Sequence, residues 1–197
     1  MINLRKINQS REQSPSNRDM MSPKKNVSDN CDSATSSPSA RNRISIRDRL
    51  LTQEIQELEE MPPGCSVEFS NPTVLHNFSL VVCPTEGIWQ GGKFRFEIDV
   101  PLEYNNYPPR VVCKTNVWHP NVTESGAVCL SLLRPSSLDG TGWLPTRRIK
   151  DVIWGLNSLF LDLADFDDPI NADAADNYLR DPNDFKRKVS EYIKKYC

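Results

Sequence analysis

The chain has 197 residues, 25% of them charged and 38% hydrophobic, which is room for one domain with an appendage and a core of ordinary size. Its formal net charge of −2 gives no basis for general nucleic-acid binding, and no stretch approaches the roughly 18 apolar residues of a membrane span. The amino terminus shows no apolar h-region, so no secretory signal is expected and an intracellular, reducing location, cytoplasmic or nuclear, is the default.

Residues 1–43 hold no aromatic residue and no glycine but nine Ser and six Asn, with eight Lys/Arg against four Asp/Glu. Such a segment cannot bury enough apolar surface to offset its ordering entropy, so it is expected to be a disordered docking arm. It is +4 while the remainder is −6; the basic charges either dock it on an acidic protein surface or simply keep it solvated. Met1, Ile2, Leu4 and Ile7 make a small apolar cluster at its tip, by chance or as a short peptide that folds into a partner's groove.

The folded domain is expected over 44–197. Ser45 followed by Asp48 predicts a helix N-cap with an acidic first turn; Leu51, Ile55 and Leu58 repeat at helical spacing, and Pro62-Pro63-Gly64 should stop the helix. Short β-like runs follow over 65–69 and 75–83. In 93–100, Phe94, Phe96, Ile98 and Val100 alternate with Lys93, Arg95, Glu97 and Asp99, the pattern of a half-buried antiparallel strand. A fourth strand is predicted over 110–114. Ile149, Val152, Ile153, Leu156, Leu159, Phe160 and Leu163 then form a helical stripe, a shorter helix is expected over 170–179, and Asp181-Pro182 opens the last. That last helix should bury Phe185, Val189, Tyr192, Ile193 and Tyr196. The fold class is α+β: an N-terminal helix, a four-stranded antiparallel meander covered on one side, and C-terminal helices.

Six cysteines stand at 31, 65, 83, 113, 129 and 197 with no C-x-x-C pair, and only His76 and His119 could assist them. Neither a metal site nor a disulfide framework is expected. Cys83 and Cys113 fall within predicted strands and read as small buried hydrophobes, as does Cys65, while Cys31 and Cys197 read as exposed thiols without a role. Cys129 differs. It lies in residues 115–146, a segment without clear periodicity inside a compact domain, where function is commoner than in shorter connections. A thiol on a partly exposed loop is a candidate nucleophile. Asn121, eight residues earlier, could donate its amide to the oxyanion formed when an amine attacks a thioester, or could stabilise its own loop. His119 invites a Cys-His pairing; a structural ring, hydrogen-bonded within the loop, is the preferred reading.

His119-Pro120-Asn121 followed by Gly126-x-x-Cys129-Leu130 resembles the signature of ubiquitin and ubiquitin-like conjugating enzymes. Glu86-Gly87-Ile88-Trp89-Gln90-Gly91-Gly92-Lys93-Phe94 resembles that family's turn into the third strand, Pro108-Pro109-Arg110-Val111 its entry to the fourth, and Asp167-Asp168-Pro169 its loop before the third helix. The likeness covers roughly 45–196 and implies the ubiquitin-conjugating (UBC) fold. It implies that Cys129 accepts a modifier's carboxyl terminus as a thioester from a separate activating enzyme. ATP is consumed by that enzyme and no cofactor is bound here. By the same resemblance Asn121 steadies the oxyanion or the loop, Asp168 is the gate that orients the incoming lysine, and Asn106, Pro145 and Thr146 meet a RING-type ligase.

Within the family, Tyr104-Asn105-Asn106-Tyr107-Pro108-Pro109, Ala164-Asp165-Phe166 in place of the usual Pro-Asn-Pro, and the insertion over 135–142 depart from most ubiquitin enzymes. With Leu130-Ser131-Leu132-Leu133-Arg134 and Trp154-Gly155-Leu156-Asn157-Ser158-Leu159-Phe160, they resemble the neddylation branch, and within it the F-type enzymes. That branch implies as partners the Nedd ubiquitin-like modifier, a heterodimeric activating enzyme, a RING-box ligase with a cullin, and a co-ligase that receives the N-terminal peptide. Met1, Ile2, Leu4, Arg47 and Arg49 would serve docking to the activating enzyme and co-ligase, with the chain a monomer. Three other readings stay open on the residues alone: a ubiquitin-conjugating enzyme of the same fold, a thiol hydrolase pairing Cys129 with His76 or His119, and a non-catalytic binding module.

Overall fold

The structure is a computed structural model that describes residues 44–58, 60–135, 142–161 and 164–197; the expected arm over 1–43 and most of the 135–142 insertion lie outside them. Ser45 Oγ accepts from the Asp48 N–H at 3.0 Å and starts α1 (Ile46–Gln56). The helix was expected to reach 62–64 but ends at Gln56. The Glu57 N–H is shared between the Gln53 and Glu54 carbonyls, and the Leu58 N–H turns to Ile55, so the last turn tightens before the prolines are reached. Leu58 still packs on the core from beyond the helix. Its neighbour Glu54 is buried, where its carboxylate accepts from Tyr104 Oη at 2.8 Å and from the Ile149 N–H at 2.8 Å. Burial raises its pKa above the ordinary glutamate value, against the pull of these donors.

Four strands follow, β1 (Cys65–Glu68), β2 (Asn77–Val82), β3 (Phe94–Asp99) and β4 (Arg110–Cys113), paired antiparallel in chain order. The register puts Val67 beside Leu80, Leu80 beside Phe96, and Phe96 beside Cys113, so one apolar row crosses the sheet. Against that face lies α2 (Ile149–Ser158), whose Val152, Ile153 and Leu156 share one core with Phe78, Phe94 and Phe96. The opposite face runs Glu68, Ser79, Glu97, Val112 along one row. There Arg95 pairs with Glu68 at 2.7 Å and Lys114 with Glu97 at 2.9 Å, exposed ion pairs that stabilise little.

The stripe expected to run to Leu163 is shorter as a helix: α2 stops at Ser158, and Leu159 and Phe160 are buried in the turn that follows, with residue 163 outside the described residues. Two more helices close the chain, α3 (Ala172–Arg180) and α4 (Pro182–Tyr196), the latter capped by Asp181, whose carboxylate accepts from the Asn183 and Asp184 N–H groups. Phe185 and Val189 are buried as expected, but Tyr192 and Ile193 are half-buried and Tyr196 is exposed, because the final turn of α4 runs past the packed body. Cys113 is buried, which pushes its thiol up to about 12, and half-buried Cys65 is pushed up to about 11 for the same reason. Cys83 falls one residue beyond β2 and is half-buried. No described helix is long and apolar enough to cross a membrane, and no group of three or more acidic, His or Cys side chains among the described residues could hold a metal.

Candidate active site

The segment from β4 to α2 lacks periodicity because tertiary hydrogen bonds shape it. The Cys113 N–H donates to the Gly126 carbonyl at 2.8 Å, and the Gly126 N–H closes a turn on Thr123 at 3.0 Å. Gly126 has φ +85°, and a Cβ there would lie 2.1 Å from the Cys113 carbonyl oxygen, so both the conformation and the space require glycine. From this turn the chain doubles back: Val122 bridges to Val128, and the Cys129 N–H donates to the Asn121 carbonyl at 2.9 Å. That bond converts an eight-residue spacing into direct adjacency. Beyond Cys129, a 3-10 turn over Ser131–Leu133 rests on α2 at Gly155, where a Cβ would meet Leu132 Cδ2 at 2.5 Å. The half-buried thiol thus sits on a loop clamped from both ends.

Asn121 is 2% exposed, and its amide latches two loops together. Nδ2 donates to the Asp165 carbonyl at 3.0 Å, while Oδ1 accepts from the Asp165 N–H at 2.8 Å. The Asp165 carboxylate accepts in turn from the Asp168 and Asp167 N–H groups, which hold it below the usual carboxylate range and fix the backbone beneath Asp168. The Asp168 side chain is itself 81% exposed, with Oδ2 3.6 Å from Arg134 Nη2. The same guanidinium nitrogen is 3.4 Å from Cys129 Sγ. Asn121, Cys129, Arg134, Asp165 and Asp168, with Leu130, Ser131 and Leu159, line a groove of about 190 Å³.

His119 points the other way. Its ring is fully buried, stacked on Trp89 at 4.4 Å between centroids; Nδ1 accepts from the Asn121 N–H at 2.9 Å, and Nε2 lies 2.8 Å from the Leu159 carbonyl. A backbone donor on Nδ1 leaves the proton on Nε2, which donates to Leu159. Burial pushes its pKa down to about 4, against the pull of that bond. Both ring nitrogens are engaged and neither faces the sulfur. His76 lines a different groove, with Ser45, Asp48 and Thr52. A Cys-His hydrolase therefore finds no histidine at Cys129, and that rival reading loses its base to the direction in which the two rings are held.

The remaining site candidates fall elsewhere. Asn106, Pro145 and Thr146 are exposed on two loops that Asn105 and Trp143 tie together: Asn105 Nδ2 donates to the Pro145 carbonyl, and Trp143 Nε1 to the Asn105 carbonyl at 2.7 Å. Arg47, expected at a docking surface, is largely inward: its side chain is 12% exposed, Nη1 donates to the Val100 carbonyl at 3.2 Å, and Nε pairs with Asp48. Arg49 on the same helix is exposed, and Met1, Ile2 and Leu4 lie outside the described residues. Two groove residues, Arg134 and Asp165, were not singled out for a role from the sequence. Arg134 follows Cys129 by five positions and could have been found from one turn of chain; Asp165 acts through backbone groups and leaves no such trace.

Taken together, the groove offers a sulfur nucleophile, a cation and two carboxylates, and among the described residues no base is in contact with the thiol. That suits exchange between thioesters, which are already reactive, better than hydrolysis of an amide. Comparison with known proteins agrees with this chemistry. A family profile described as "Ubiquitin-conjugating enzyme" matches residues 50–193. The human NEDD8-conjugating enzyme UBE2F is 58% identical over 165 residues, covering 83% of this chain and 89% of that protein. The Caenorhabditis elegans NEDD8-conjugating enzyme ubc-12 is 50% identical over 160 residues, covering 79% and 89%. Among solved structures, S. cerevisiae Ubc12 superposes with a TM-score of 0.65 at 29% identity, covering 74% of this chain and 78% of that one. On sequence, fold and groove alike, the chain belongs to the ubiquitin-conjugating enzyme family, in the branch that holds the NEDD8-conjugating enzymes.

Proposed function

We propose that this conjugating enzyme carries NEDD8 as a thioester on Cys129 and transfers it to a lysine of a cullin held by a RING-box ligase. The observation that supports this most directly is the half-buried Cys129 thiol, open to a groove whose far wall holds Asp168 and whose two loops are latched by Asn121. An activating enzyme consumes ATP upstream, and this chain needs no cofactor of its own. Asn121 holds the groove closed around the reacting carbonyl and Asp168 receives the incoming lysine. Asn106, Pro145 and Thr146 meet the ligase, with Arg49 and the N-terminal residues Met1, Ile2 and Leu4 serving the activating enzyme and a co-ligase. The chain acts as a monomer in the cytoplasm or nucleus.

The test is a loading assay that offers ubiquitin and NEDD8, each with its own activating enzyme and ATP. A reductant-sensitive adduct with NEDD8, absent in Cys129→Ala, is the expected result. Preferential loading with ubiquitin would overturn the choice of modifier, and an adduct that survives Cys129→Ala would overturn the choice of nucleophile.

A further inference from the structure

Arg134 is placed to do more than fill the rim of the groove. Its backbone is fixed on both sides: its N–H donates to the Ser131 carbonyl at 3.0 Å, and its carbonyl accepts from the Trp143 N–H at 2.8 Å. From that fixed stem one nitrogen reaches two targets, Cys129 Sγ at 3.4 Å and Asp168 Oδ2 at 3.6 Å. Among the described residues lining the groove, the titratable groups besides Cys129 are Arg134, Asp165 and Asp168, so Arg134 is the one cation facing two carboxylates.

We propose that Arg134 is a catalytic residue in both half-reactions, stabilising negative charge on Cys129 Sγ when the sulfur attacks and when it leaves, and favouring the neutral form of the acceptor amine. The proposal rests on Cys129 carrying the modifier. In loading, the Cys129 sulfur gives up its proton and attacks the thioester carbonyl on the activating enzyme. A new C–S bond forms, the old one breaks, and the departing thiolate takes up a proton. In transfer, the lysine nitrogen attacks the same carbonyl, a C–N bond forms, and the C–S bond to Cys129 breaks with its electron pair left on sulfur. The surplus ammonium proton passes to that sulfur or to water. Both steps pass through anionic Cys129 sulfur, and both place it beside the guanidinium.

The sign of the charge matters as much as its distance. Asp165 and Asp168 alone would favour a protonated thiol and a protonated lysine, the two unreactive forms. A cation between thiol and carboxylate opposes both effects at once. It lets Asp168 steer the lysine without fixing it as an ammonium ion. Since the Arg134 side chain is 56% exposed, solvent screens the effect and it is modest.

Peptide-resolved alkylation of Cys129 across pH, and single-turnover discharge of the loaded enzyme to free lysine, test this. In Arg134→Gln, alkylation should slow by about three- to tenfold at pH 7, with the difference narrowing as pH rises. Discharge should fall by a similar factor with the same convergence, and Arg134→Lys should recover most of both. Equal alkylation at every pH, or a uniform loss that no pH recovers, would overturn the assignment. Should Arg134→Gln melt early, wild-type alkylation at low and high salt decides instead: screening must slow it, and indifference to salt refutes the role. Alkylation needs no modifier, so it stands apart from the Cys129→Ala loading control on which the nucleophile itself depends.

Discussion

Asn121 shows how one side chain can serve two roles that a sequence cannot separate. Its amide carries two N–H groups, and one of them is used on the Asp165 carbonyl while Oδ1 takes the Asp165 N–H. The loop role is therefore a matter of geometry, and the oxyanion role is a separate question for the second N–H. Asn121→Ala removes both latch bonds, leaves the exposed Asp165 backbone to water, and should cost about 1–3 kcal/mol of stability, at about 0.5–1.5 per bond, as well as slowing transfer. If the oxyanion role holds, single-turnover transfer should fall further than loading; equal losses in the two assays would leave only the latch. The partner of the latch, 44 residues away, could not be read from the sequence, because nothing local to Asn121 or Asp165 announces it. His119 was legible as structural for the opposite reason: a ring beside a proline turn has local backbone donors in reach. Its burial makes a second prediction. Its folded pKa of about 4 lies below the ordinary 6.5, so the unfolded chain binds the proton more tightly, and stability present above pH 6.5 is lost as pH falls toward 4. The loss should be on the order of 3 kcal/mol in denaturant titrations and absent in His119→Asn.

Elements, by contrast, were read well where periodicity governs them and poorly where a terminus is set by packing. The alternation of Phe94, Phe96 and Ile98 against Arg95, Glu97 and Asp99 gave β3 to within a residue or two, and the Asp181 cap gave the start of α4. The end of α1 was misjudged because Leu58 continues the helical spacing while the chain has already tightened at Glu57. The same helix conceals Glu54, an acid whose two accepted hydrogen bonds join α1 to Tyr104 and to the first residue of α2; a pattern of apolar positions cannot reveal such a contact. The loop element that presents Cys129 depends on Gly126, where φ is +85° and a Cβ would strike the Cys113 carbonyl. Gly126→Ala must then rotate the turn or part it from β4, at about 1–3 kcal/mol by denaturant unfolding. Loading should drop more than that loss of stability explains, since the Cys129–Asn121 backbone bond lies downstream of the same turn. A variant that loads normally would show that the turn does not set the position of the thiol.

At the scale of the whole chain, the composition changes near residue 43: every aromatic residue and every glycine lies after it. The described side chains of the core, from Leu51 to Val189, and the described residues lining the Cys129 groove lie after that change. Among the described residues, the backbone and side-chain hydrogen bonds that link Cys113, Asn121, Cys129, Arg134 and Asp165 all lie between residues 113 and 168. A chain starting at Arg41 should melt within about 2 °C of the full chain, a shift corresponding to about 0.5–1 kcal/mol. It should also alkylate at Cys129 at the same rate. What it should lose is encounter: with residues 1–40 removed, which carry +2 of the arm's +4, loading by the activating enzyme should slow at low salt and by less at high salt, because steering by a charged arm is screened over about one Debye length. A large fall in melting temperature would place part of the core before residue 44. Loading that is unchanged at every salt concentration would leave the arm's charge as solvation alone.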